Sequence, residues 1–72
     1  MSKEYISFVV AKAIFKQEGQ FTVNDIFNVV RNALSDAYDS NEDLISYIRK
    51  KMDSMCADGL ISGTDTYYFQ YD

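Results

Sequence analysis

Few residues in this chain have the types and spacing to do chemistry, and each is limited by its neighbours. Arg49-Lys50-Lys51 is the one basic cluster in the 72 residues. Phosphates and carboxylates attract such cations, but consecutive helical positions point in three directions, so the run reads as a solvated helix face. Asp36, Asp39, Asn41, Glu42 and Asp43 crowd oxygen ligands into one short segment. A calcium loop needs alternating ligands, a central glycine and a closing glutamate. That pattern is missing, and the segment reads as an acidic loop leading into a capped helix. Cys56 is the single cysteine and there is no histidine. An internal disulfide, a Cys/His zinc site and an imidazole base for the thiol are thereby removed. Cys56 reads as a small apolar residue at the edge of a core.

Aromatic side chains are the remaining candidates. Tyr67, Tyr68, Phe69 and Tyr71 alternate along a strand-forming segment, with Tyr67, Phe69 and Tyr71 on one side and Tyr68 on the other. Tyr67 and Phe69 are expected to pack inward, which leaves Tyr68 as the better contact residue. Phe8 and Phe15 lie seven apart, hence on one side of a helix, with Tyr5 at its edge. Either the C-terminal strand covers them or they form an interface, because large exposed aromatics mark association. There is no Ser/His/Asp set and no glycine-rich phosphate loop. No catalytic residue, cofactor or metal is expected, and the chain reads as a non-enzyme.

These residues must be held by one small domain, since 72 residues leave no room for two. Apolar residues make up 47% and charged residues 25%, a balance typical of a folded soluble chain. The longest apolar run, Phe8 to Ala11, is far short of a membrane span, and no signal peptide is visible, so a cytoplasmic location is expected. The net charge of −4 argues against strong non-specific nucleic-acid binding. It is also uneven: residues 1–35 carry +1 and residues 36–72 carry −5.

Periodicity supplies the elements. Residues 3–18 form a first helix ending at Gly19, with Ile6, Val9, Val10, Ala13 and Ile14 on one stripe and Phe8, Ala11 and Phe15 nearly opposite. Thr22 and Asp25 have capping-box spacing, flanked by Phe21 and Ile26 where a hydrophobic staple would sit. They open a second helix over 23–34, whose stripe is Ile26, Val29, Val30, Ala33 and Leu34, widened by Val23 and Phe27. Ser40 and Asp43 cap a third helix over 41–58, which turns Leu44, Ile45, Ile48, Met52, Met55 and Cys56 inward and ends at Asp58-Gly59. Leu60-Ile61-Ser62 and Thr66 to Tyr71 form a hairpin about Gly63-Thr64-Asp65, and Gln20-Phe21 adds a short edge strand.

Helix, short strand, helix, helix, hairpin resembles the winged-helix family. The residues that carry the resemblance are Met52-x-x-Met55-x-x-x-Gly59-Leu60-Ile61, then Gly63 and Tyr67-Tyr68-Phe69, together with Phe21-Thr22-Val23-x-Asp25-Ile26. The resemblance implies an α+β, mainly helical domain of three helices with a C-terminal β-hairpin wing. It implies duplex DNA contacts from the third helix at Ser46, Arg49, Lys50 and Asp53, and from the wing at Thr64 and Tyr68. The charges depart from that pattern: Asp39, Glu42 and Asp43 stand at the start of the third helix, and Asp65 stands at the wing tip. Two functions follow as expectations. One is a DNA-associated regulator, weak on DNA as a monomer and acting as a dimer or within a larger assembly. The other is a protein–protein interaction module of the same fold, using its acidic second half or the Tyr5, Phe8 and Phe15 side, with a homodimer or another protein as partner.

Overall fold

The computed structural model describes residues 2–70. Its elements in order are α1 (Lys3–Phe15), β1 (Phe21–Thr22), α2 (Val23–Val30), α3 (Asn41–Ala57), β2 (Ile61–Gly63) and β3 (Thr66–Phe69). The strands form an antiparallel sheet in the order β1-β3-β2. Phe21 pairs with Tyr67 on one side of β3, and Ile61 pairs with Phe69 on the other. The result is a mainly helical α+β domain, three helices followed by a hairpin, an arrangement consistent with a winged helix. Tyr71 lies outside the described residues.

Both helix starts named by the sequence are formed. The Thr22 hydroxyl accepts from the Asp25 backbone N–H at 3.2 Å, and the Asp25 carboxylate accepts from the Thr22 N–H at 2.8 Å. At α3 the Ser40 hydroxyl accepts from the Asp43 N–H at 3.2 Å. The end of α3 is a Schellman motif. Gly59, at φ 80°, donates to the Cys56 carbonyl, and Leu60 donates to the Met55 carbonyl, each at 3.0 Å. Leu60 therefore belongs to this cap, and β2 begins at Ile61.

Two helices are shorter than periodicity predicts. α1 stops at Phe15 and not at residue 18, because Gln17 folds back: its backbone N–H bonds the Ile14 carbonyl and its side-chain amide bonds the Ala13 carbonyl. α2 stops at Val30 and not at residue 34. The chain continues as hydrogen-bonded turns in which Leu34 N–H still reaches the Val30 carbonyl. The Ser35 hydroxyl donates to the Asn32 carbonyl within these turns.

The core is continuous. Ile6, Val10, Ala13 and Ile14 of α1 meet Val23, Ile26 and Val30 of α2 and Leu44, Ile48, Met52 and Met55 of α3. Phe21, Leu34, Ile61 and Tyr67 close it. Phe21 is wedged between Tyr67 and Phe69, with ring centroids 6.3 and 5.5 Å away. Inward residues of α1 follow the predicted stripe, with Val9 only half-buried. Ile45 and Cys56, predicted to face inward from α3, are also only half-buried. Val29 and Ala33, predicted for the inner stripe of α2, are exposed, because an eight-residue helix cannot turn so wide a stripe toward one core.

Candidate functional site

The exposed side of α3 and the wing is the first candidate surface. Ser46, Arg49, Lys50, Thr64 and Tyr68 are all exposed, but they are not gathered together. Ser46 and Lys50 line a shallow hollow of about 580 Å³ with Tyr38, Asp39, Asp43 and Tyr47. The Tyr38 and Tyr47 rings are 5.9 Å apart and tilted by 41°. Burial, reinforced by Tyr47 and Asp43, raises the Tyr38 phenol above its usual range. Arg49 lines a separate hollow with Thr22, Asn24 and the wing-turn carboxylate of Asp65. Tyr68 lines a third with Gln17, Glu18 and Gln20, in the connection between α1 and β1. Lys51 turns away from all three, and its ammonium donates to the Ser7 hydroxyl at 2.8 Å, tying α3 to α1. The basic cluster is therefore dispersed over three surroundings, two of which contain carboxylates.

Behind this surface, Tyr67 is buried. Burial is the main cause of its raised phenol pKa; Asp53, Cys56 and Asp65 add to it, and Arg49 opposes it. Cys56 is half-buried, and burial followed by Asp53 raises its thiol pKa. A raised thiol is less often thiolate and so a poor nucleophile at neutral pH. Among the described residues, no group of three or more Cys, Asp or Glu is placed to hold a metal ion.

The second candidate surface is the outer side of α1. Tyr5, Phe8 and Phe15 are 48%, 55% and 59% exposed, although the inner side of the same helix is almost sealed. Both alternatives weighed for these rings meet in part at Phe15, which stacks on Phe69 at 5.9 Å and 16° yet keeps most of its area in solvent. Phe8 lies beside a groove of about 310 Å³ between α1 and α2, whose walls include Tyr5, Val9, Ala13, Val29 and Val30. Lys12 and Lys16 complete the lining, which holds no carboxylate among the described residues. The Lys12 ammonium sits 5.8 Å from the centroid of the Phe8 ring. Sequence reasoning singled out neither Lys12 and Lys16 here nor Val29, which is 56% exposed. The signal was available, because seven apolar positions between residues 23 and 34 exceed what one helix stripe can bury. The Tyr38–Tyr47 pair left no comparable signal, since the two rings come from different elements at no helical spacing.

Compared with family models, with curated proteins and with solved structures, the chain matches none. Among the described residues, no helix is long and apolar enough to cross a membrane.

Proposed function

We propose that this chain is a non-enzymatic docking module of the winged-helix type, which binds another protein through the outer side of α1. The observation that carries the reading is the contrast within α1. Val10 and Ile14 are sealed, while Tyr5, Phe8 and Phe15 stay more than two-fifths exposed, and Tyr5 and Phe8 share a groove with exposed Val29. Burying a fully exposed phenylalanine is worth about 1.5–3 kcal/mol, and a bound partner recovers the share, a little over half, that Phe8 and Phe15 still leave in solvent. Contiguous exposed apolar area of this kind marks an interaction site.

Duplex DNA is the second reading, favoured by one observation: Ser46, Arg49 and Lys50 are exposed on the helix that follows the α2–α3 turn. It is weakened by Glu42 and Asp43 in the first turn of α3 and by Asp65 beside Arg49. Carboxylates there repel phosphates where phosphate neutralisation would supply affinity.

Site-specific photo-crosslinking in the cells that make the protein separates the two. A photoreactive aromatic residue at position 8 is expected to give a protein adduct, and one at position 50 none. DNA adducts from position 50, with nothing from position 8, would overturn the docking reading.

A further inference from the structure

The outer side of α1 has a spacing that specifies the shape of its occupant. Tyr5, Phe8, Lys12 and Phe15 are all exposed and follow one another at intervals of 3, 4 and 3 residues. That is the a/d interval along which one helix packs its side chains against another. From Tyr5 to Phe15 the seam rises about 15 Å, roughly three helical turns. A helix laid along α1 would also cover Val29 and Val9 in the groove toward α2.

Charge then selects among helices. Among the described residues, the ionic groups that line the groove are Lys12 and Lys16, on a chain whose net charge is −4. Lys12 lies within the seam itself, its ammonium over the Phe8 ring. A second copy of the chain fits this arrangement poorly. Parallel pairing along the seam sets one Lys12 opposite the other. Antiparallel pairing about the seam's midpoint leaves the two about 6 Å apart along the axis. Either way, two ammonium groups would be desolvated together with no carboxylate in the groove to neutralise them.

We infer that the outer side of α1, with its groove toward α2, receives an acidic amphipathic helix from a different protein, with apolar residues against Tyr5 and Phe8 in the groove and Phe15 beyond it, and carboxylates against Lys12 and Lys16. This rests on the docking reading and adds the partner's shape and charge. A single lysine inside an otherwise apolar seam fixes register, because only a partner with a carboxylate at the matching turn satisfies it.

The test uses the intact chain and two synthetic peptides of about 18 residues, long enough to form helix in water. Both carry leucine at the seam positions; one has glutamate at the flanks and at one central seam position, and the other has lysine there. The glutamate peptide is expected to bind about ten-fold more tightly at low salt, with the gap closing as salt rises. In the double variant Lys12→Glu with Lys16→Glu, the preference is expected to invert. Both side chains are exposed, so the fold should survive, and circular dichroism together with the milder Lys12→Gln variant checks that it does. Equal binding of the two peptides, abolished by Phe8→Glu, would overturn the charge assignment and leave the docking reading standing. If neither peptide binds and sedimentation shows a dimer lost in Phe8→Glu, a second copy is the occupant and the inference fails alone. If neither peptide binds and the protein stays monomeric with position 8 silent in crosslinking, both fail.

Discussion

The outer side of α1 and the exposed side of α3 are both open to solvent, and they are open in different ways. On α1 three aromatic rings share a seam with Lys12, and the adjoining groove holds no carboxylate. On α3 the apolar residues are turned inward, and cations and carboxylates are interspersed, with Ser46 and Lys50 near Asp39 and Asp43, and Arg49 near Asp65. Charges so mixed are well hydrated without help, and a partner gains little by covering them. Apolar rings in water gain from any cover that fits. The helix to which a winged-helix domain gives its DNA contacts is, in this chain, the one with less to gain from a partner.

The comparison is tested most severely by breaking the wing while leaving α1 untouched. Gly63 has φ 132°, and a Cβ at this position would collide with the Thr66 carbonyl oxygen. Gly63→Ala is expected to cost about 2–4 kcal/mol in denaturant unfolding, because backbone must move to relieve the clash. If enough stability remains for the domain to fold, Phe8 should keep its crosslink while the surroundings of Arg49 are altered. Loss of one cap tests the two helix starts against each other at smaller cost. Thr22→Ala and Ser40→Ala should each lower unfolding free energy by about 1 kcal/mol. Thr22 should cost the more of the two, since its removal also disturbs a reciprocal bond with Asp25.

Alkaline pH probes the α3 side alone. The folded-state values of Cys56, Tyr38 and Tyr67 are all raised, so the folded protein holds these protons more tightly than the unfolded chain. The resulting stability is fully present below the unfolded values, about 8.5 for the thiol and about 10 for the phenols, and is lost as pH rises through the raised ones. Urea midpoints measured upward from pH 8 should fall in that order, and Cys56→Ala should remove the earliest part of the fall. The smallest change in stability is expected on α1 itself. Phe8→Glu should shift the unfolding free energy of the free protein by no more than about 0.5 kcal/mol. A loss several times larger would mean that the ring already serves the core.

Much of the fold was legible because local chemistry and periodicity agreed. Thr22 with Asp25, Ser40 with Asp43, and Asp58-Gly59 named three helix boundaries, and alternation along Tyr67-Tyr68-Phe69 separated inner from outer rings. The end of α1 was misread because Gln17 folds back onto the Ala13 and Ile14 carbonyls, and the end of α2 because the chain passes into hydrogen-bonded turns after Val30. Hydrophobic period registers neither. For the candidate surfaces, counting the faces of one helix singled out Tyr5, Phe8 and Phe15 but left open whether the C-terminal strand covers them. All three stay exposed, with Phe15 partly covered by Phe69. The place of Val29 beside Phe8 needed the packing of two helices against each other. Dispersion of Arg49, Lys50 and Lys51 was legible in direction, but their different neighbours were not, since Asp65 and Ser7 come from distant parts of the chain.

The strand order β1-β3-β2 also governs when this protein can fold. Phe21 obtains its cover from Tyr67 and Phe69, which follow every other element in the sequence. As the chain leaves the ribosome, the three helices emerge before the strand that closes the space beneath Phe21. Until then a phenylalanine and an unpaired strand edge stay open to any neighbouring chain. Contacts between residues so far apart in sequence slow folding and lengthen that exposure. Completion of the domain thus waits on β3, and any form of the chain without that strand leaves Phe21 without its two ring partners and β1 without its pairing.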